Sequence, residues 1–177
     1  MQRLSGIAAN TAKYAELVRH TNWTILDTQK TTSGLRTLVK WAVRLGGGGN
    51  HRMGHYDMIM LKDNHIDLAG GILAAVEHVR DYLESRNMNL SIEVETIILK
   101  EVKEVLEADA DRIMPDTFTP QATSEAVAII GSRAETESSV GITEKTLKSY
   151  AECRVDCISI GTLTHQIASL DMSLKAT

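Results

Sequence analysis

Short runs rich in isoleucine, valine and leucine recur along the chain, each followed by a longer stretch of helical period. This alternation limits the fold more than any other feature, because strands that alternate with helices build βαβ units and a parallel sheet. The runs predict strands at Thr24–Thr28, Asp57–Leu61, Ser91–Glu95, Asp111–Met114, Ala134–Ser138 and Asp156–Ile160. Helices are predicted near Gly34–Arg44, Leu68–Arg86, Ile97–Ala108, Gln121–Ile130 and Thr143–Glu152. In Leu68–Arg86 the apolar Leu68, Ile72, Ala75, Val76, Val79 and Leu83 keep close to a 3.6-residue period, and Thr143 stands where a helix cap belongs. A closed eight-fold barrel takes roughly 250 residues, and this sequence has 177. The expectation is an open or incomplete β/α (TIM-like) barrel of six parallel strands, in one domain over residues 1–177.

Polar residues gather at the carboxyl end of every predicted strand: Asp27–Lys30, Lys62–His65, Glu93–Glu95, Asp116–Thr117, Glu137–Ser139 and Gly161–Thr162. In a β/α barrel these ends share one rim, where active sites sit; helix caps favour the same residue types. The charge distribution agrees with a shared site. Six Lys/Arg and three Asp make Leu26–His65 a +3 island in a chain of net charge -4, the pattern of a local anion site. Arg36, Lys40 and Arg44, at four-residue spacing, read instead as a solvated helix face. The overall negative charge excludes a broad nucleic-acid surface. No apolar run reaches about 18 residues, and Met1-Gln-Arg-Leu-Ser lacks a signal-peptide core. A cytoplasmic protein with neither a membrane nor a nucleic-acid partner is expected. Cys153 and Cys157, with no further cysteine, read as reduced, buried thiols.

Gly46-Gly47-Gly48-Gly49 could be a linker, but it runs straight into the donors Asn50, His51 and Arg52, which favours a close backbone approach. His51 and His55 are four apart, yet Arg52 stands where a His-Glu-x-x-His zinc motif needs Glu; a zinc site is not expected.

These segments carry a family resemblance. Leu26-Asp27-Thr28-Gln29-Lys30-Thr31-Thr32-Ser33-Gly34-Leu35-Arg36 is similar to the DTRKT-x-PG-[LM]-R motif of quinolinate phosphoribosyltransferases, and Gly46–His65 resembles their GGG-x-NHR-x-G-x-x-D-x-x-[LI]-K-[DE]-NH stretch. Ser159–His165 resembles the closing S-[VI]-G-x-[LI]-TH motif, and Leu4–Ala8 the helix that leads into the barrel. The resemblance implies transfer of phosphoribosyl from phosphoribosyl pyrophosphate to quinolinate with magnesium, yielding nicotinate mononucleotide, pyrophosphate and carbon dioxide. It implies that Lys30, His51, Arg52 and Lys62 hold carboxylates and phosphates. It implies that Glu95 and Asp116 contact ribose hydroxyls and magnesium, and that Ser138, Ser139, Gly161 and His165 form the 5'-phosphate site. Lys30, Lys62, Glu95 and Asp116 would then be catalytic, with Lys62 electrostatic; an aldolase-type barrel would use it as a Schiff-base nucleophile.

Departures from the pattern fall near these positions. Gln29 stands where the family has Arg, a binding position that loses a bidentate partner; Ser33 replaces Pro, Val140 replaces Gly, and Pro115 and Thr117 flank Asp116 in place of Leu and Asn. The family also carries an amino-terminal domain of about a hundred residues that helps a partner subunit close the site, and this sequence does not contain it. A homodimer or larger homo-oligomer is implied. The alternatives are a truncated, non-catalytic relative that binds dicarboxylate and phosphate ligands, and a related transferase with another acid as substrate.

Overall fold

The computed structural model describes residues 1–21, 23–139 and 141–175. Val140 lies outside the described residues. The element order is α1 (Gln2–Val18), β1 (Thr24–Leu26), α2 (Arg36–Leu45), β2 (Ile59–Leu61), α3 (Asp63–Ala69), α4 (Ile72–Ser85), β3 (Ile92–Thr96), α5 (Leu99–Glu107), β4 (Arg112–Pro115), α6 (Pro120–Ile130), β5 (Glu135–Ser138), α7 (Glu144–Ala151), β6 (Cys157–Ser159) and α8 (Thr162–His165). All six predicted strands form. They pair in parallel in the order β1-β6-β5-β4-β3-β2, so β1 and β2 are edges and the barrel is open between them. Among the described residues no helix is long and apolar enough to cross a membrane.

The pleat sorts the strand residues. Successive side chains point to opposite faces, and Ile92, Val94 and Ile113 pack outward into a buried cluster with Ala75, Val76, Val102, Val105 and Ala126 of the covering helices. Ile25, Ile158 and Ile160 do the same with Val18, Leu147 and Ala151. The alternate residues Glu93, Arg112 and Glu137 therefore face the barrel interior, where ion pairs join them. Cys153 and Cys157 are free and buried, as expected.

Three expectations need correction. The helix predicted over Leu68–Arg86 is two helices, α3 and α4, separated by Gly70 (φ +86°) and Gly71 (φ +137°); Leu68 is 90% exposed, because its apparent place in the period belongs to another helix. Asp57 is not in β2: its carboxylate accepts the backbone N–H groups of Met53 (2.7 Å) and Gly54 (3.0 Å), closing a turn before the strand begins. Asp27 and Thr28 likewise lie beyond the end of β1. Thr143 does cap α7, its N–H donating to Thr146 Oγ1 at 2.9 Å.

The glycine run is packed between α1 and β1. A Cβ on Gly46 would come within 2.4 Å of the Ala8 carbonyl oxygen. Gly49 donates its N–H to the Ile25 carbonyl (2.7 Å) and accepts from Asp27 N–H (3.2 Å), a short rung laid against the open edge of β1. That rung delivers Asn50, His51 and Arg52 to the seam between the edge strands.

The backbone of Gly71 lies in a region essentially restricted to glycine. Gly71→Ala is expected to lower stability by about 1–3 kcal/mol in urea unfolding; an unchanged midpoint would contradict the two-helix boundary.

Candidate active site

Strand register places the polar ends side by side. Leu61 pairs with Val94, so Lys62 follows next to Glu95, and the two form an ion pair. The turn into α3 holds Lys62 from behind, its N–H donating to His65 Nδ1 at 3.0 Å. Thr96 pairs with Pro115, and the Asp116 N–H then donates to the Thr96 carbonyl at 2.8 Å. Asp116 also bridges to Ser139 beyond β5. Across the rim, Arg36 braces the loop after β1, donating to the Gln29 carbonyl (2.9 Å), Thr31 Oγ1 (3.1 Å) and the Met53 carbonyl (2.9 Å). Thr164 Oγ1 donates to the Lys30 carbonyl at 2.7 Å and ties that loop to α8.

These ends enclose a cavity of about 250 Å³ whose walls include Gln29, Lys30, His51, Lys62, Glu95, Asp116 and Ser139. A second cavity of about 250 Å³ adjoins it and is lined by Lys30, Ser139, Gly161 and His165, among others. Gly161 and His165 are close neighbours, since a Cβ on Gly161 would lie 2.9 Å from His165 Nε2. Two expected residues sit apart. Ser138 lies on the face of β5 opposite Glu137, by the alternation of the pleat, with its buried hydroxyl unpaired. Arg52 stands at the shoulder of the first cavity, donating to the Met58 carbonyl (3.3 Å) and contacting the sulfur of the cavity residue Met60 (3.8 Å). Thr117 has φ +58°, a conformation Asn tolerates better than Thr. Burial, and then the neighbouring Glu95 carboxylate, push the Asp116 carboxyl above its ordinary value, against the pull of Lys62 and Lys30.

Beneath the rim lies a buried polar layer that the sequence reading did not identify. Lys40 is only 1% exposed, which corrects the solvated-face reading. Its ammonium donates to Asp27 Oδ1 (2.7 Å) and to the His51 carbonyl (2.8 Å). Asp27 also accepts from the His51 N–H (2.8 Å) and from Asn50 Nδ2 (2.8 Å). Deeper in, His51 Nε2 lies 3.0 Å from Glu93 Oε2 and 3.5 Å from Glu137 Oε1. Arg112 donates to Glu137 (3.0 Å) and to Glu135. Burial pushes the Glu93 and Glu137 carboxyls up to about 7, and it lowers His51. His51 is buried and His55 is exposed. The alternation Glu93-Val94-Glu95 did carry a signal, since two residues of one parity in a strand face the same side.

Six parallel strands with cations and carboxylates converging on their carboxyl ends define an open β/α-barrel domain with a charged rim. Residues 7–175 match the model of the quinolinate phosphoribosyl transferase C-terminal domain. The chain is 45% identical to the chloroplastic nicotinate-nucleotide pyrophosphorylase [carboxylating] of Arabidopsis thaliana, covering 99% of this chain and 54% of that one. It is 42% identical to the probable nicotinate-nucleotide pyrophosphorylase [carboxylating] of Bacillus subtilis, covering 100% and 60%. Among solved structures, NadC from Streptococcus pyogenes superposes with a TM-score of 0.93 at 39% identity, covering 99% of this chain and 61% of that one. The chain belongs to the quinolinate phosphoribosyltransferase family, matching its C-terminal domain, and spans about 54–61% of the length of these relatives.

Removing one member of a buried ion pair costs about 3–5 kcal/mol, so Lys40→Met is expected to lose stability on that scale in urea. A loss under about 1 kcal/mol, the surface-pair range, would contradict the pairing. Glu137 binds its proton more tightly folded than unfolded. Its contribution is therefore present below about pH 4.5 and lost as pH rises through about 7. Urea stability should fall across that window and fall less steeply in Glu137→Gln; an unchanged slope would contradict the buried placement.

Proposed function

We propose that this chain carries the barrel portion of a quinolinate phosphoribosyltransferase, and that its rim joins quinolinate to phosphoribosyl pyrophosphate with loss of carbon dioxide, a step of NAD biosynthesis. The observation that carries this reading is the first cavity, which Lys30 and Lys62 line together with Glu95 and Asp116 from one set of strand ends. A dicarboxylate beside a polyphosphate needs converging cations. Lys30 and Lys62 supply them, with Arg52 at the shoulder as the bidentate partner. The second cavity, with Ser139, Gly161 and His165, suits the 5'-phosphate of the sugar.

Glu95 and Asp116 are the carboxylates positioned for the ribose. As pyrophosphate departs, negative charge beside the anomeric carbon stabilises an oxocarbenium-like centre. The same pair suits magnesium: oxygen donors match that ion, and burial together with the neighbouring Glu95 charge, which raise the Asp116 carboxyl, are penalties that a divalent cation would offset. Bound there, magnesium would neutralise charge on the pyrophosphate leaving group. Lys62, ion-paired to Glu95, acts as a point charge on a carboxylate, and no Schiff base is invoked. Once the ring nitrogen bears the sugar, loss of carbon dioxide leaves its bonding electron pair on the adjacent ring carbon, where the positive nitrogen stabilises it until a proton from water is taken up.

An exposed apolar stripe on α2, formed by Leu38, Trp41 and Leu45, and the open seam between β1 and β2 both support a covering partner. We read that partner as the remaining length found in the relatives and as a second subunit. A second reading, a module that binds diacid and phosphate without turnover, is favoured by Gln29, which lines the cavity in place of the family's Arg.

Incubation with quinolinate, phosphoribosyl pyrophosphate and magnesium should yield nicotinate mononucleotide by chromatography. Gln29→Arg should tighten diacid binding about tenfold or more, the scale of one charged hydrogen bond. Binding of phthalate, a non-reacting diacid, without product would select the binding module. Absence of both in a folded sample would contradict either reading.

A further inference from the structure

Strand pairing spaces most of the rim, but one side of it has no such support. The edge strands β1 and β2 do not pair, and the rung at Gly49 is the last backbone link between β1 and the chain that leads to β2. Lys30 lies beyond the end of β1, and Arg52 lies on that incoming chain. Among the described residues no backbone hydrogen bond joins Gln29–Thr31 to Arg52–Asp57.

One side chain makes the join. Arg36 donates from Nη2 to the Gln29 carbonyl (2.9 Å), from Nε to Thr31 Oγ1 (3.1 Å) and from Nη1 to the Met53 carbonyl (2.9 Å). The first two acceptors flank Lys30, and the third follows Arg52. A guanidinium presents its donors in a rigid planar fork, so three bonds to two segments fix how far apart those segments stand. The base of Arg36 is firm. It opens α2, where the Leu35 N–H closes the preceding turn on the Thr32 carbonyl at 3.0 Å, and Val39 and Lys40 one turn later are buried.

Both segments are also held on their far sides. Arg3 Nη2 donates to Thr32 Oγ1 (3.1 Å) and Thr164 Oγ1 to the Lys30 carbonyl, while Asp57 gathers the N–H groups of Met53 and Gly54. Arg36 therefore joins two stiff pieces. It is exposed, and among the described residues it lines neither cavity.

We propose that Arg36 is a positioning residue that stands in for strand pairing at the open seam: its one guanidinium ties the loop of Lys30 to the segment of Arg52 and sets the spacing of these two cations without touching their ligand. The part that concerns a diacid rests on the function proposed above. The link itself does not.

Nitrogen NMR of the full chain tests the link. The Arg36 Nε–H signal, assigned by its loss in Arg36→Lys, should exchange slowly with water. That variant should also shift the amides that follow the two bonded carbonyls, Lys30 and Gly54. Free exchange of the Nε–H, or shifts confined to one of the two segments, would overturn the proposal.

Phthalate affinity tests the purpose. Arg36→Lys keeps the charge that reaches Arg52 but not the fork, and lysine forms helix about as well as arginine. It should bind phthalate about tenfold more weakly, the scale of one charged hydrogen bond, with an unchanged urea midpoint. This loss should disappear in the Arg52→Ala background. Parent affinity in Arg36→Lys with a loss only in Arg36→Met would overturn the proposal in favour of a field effect. A loss that persists in Arg52→Ala would overturn the route through Arg52, and a loss that tracks a lower urea midpoint would leave a structural brace alone. If the parent chain binds no phthalate, the function proposed above fails and the ligand part with it, while the Nε–H signal still decides whether the link exists.

Discussion

Backbone pairing between parallel strands is the constraint on which the rest of this structure depends. The pairing of Leu61 with Val94 puts Lys62 against Glu95, and that of Thr96 with Pro115 brings Asp116 next along the rim. A one-residue slip in any strand would turn its cavity-facing residue toward the helices. Outward Ile92, Val94 and Ile113 prevent that slip, since it would carry them out of the apolar cluster they share with the helices. The hydrophobic core and the chemistry of the rim are thus two faces of one register.

The interior of the barrel meets a different requirement, because charge buried without a partner is costly. Here the partners come from distant parts of the chain: Lys40 of α2 for Asp27 after β1, and Arg112 of β4 for Glu137 of β5. His51 links these groups, with its backbone in the first pair and its ring facing the second. The open barrel is therefore braced on the inside by polar contacts where a closed sheet would supply backbone hydrogen bonds.

Much of this was legible in the sequence. The six strands announced themselves through apolar runs, and the rim residues Lys30, Lys62, Glu95 and Asp116 through their place after those runs. The polar layer was hidden, for a physical reason. Arg36, Lys40 and Arg44 share a helical spacing that reads as a solvated stripe, yet α2 rotates Lys40 inward to meet an aspartate thirteen residues earlier in the chain. Nothing local distinguishes Lys40 from its neighbours; only the tertiary position of Asp27 does. The break at Gly70-Gly71 failed to register because a 3.6-residue period tolerates chance matches on either side of a turn. The resemblance groups Ser138 with its neighbour Ser139, whereas the alternation along β5 sends Glu137 inward and Ser138 outward.

The central claim is that one set of strand ends forms a single site for a diacid and an activated sugar. Its most direct test is a 1H–15N shift map of the chain titrated with phthalate and then with phosphoribosyl pyrophosphate and magnesium. The account predicts changes at Gln29, Lys30 and Lys62 with the diacid, extending to Glu95, Asp116, Ser139 and Gly161 with the sugar phosphate. Changes confined to surfaces away from these ends, or none at saturating ligand, would contradict it.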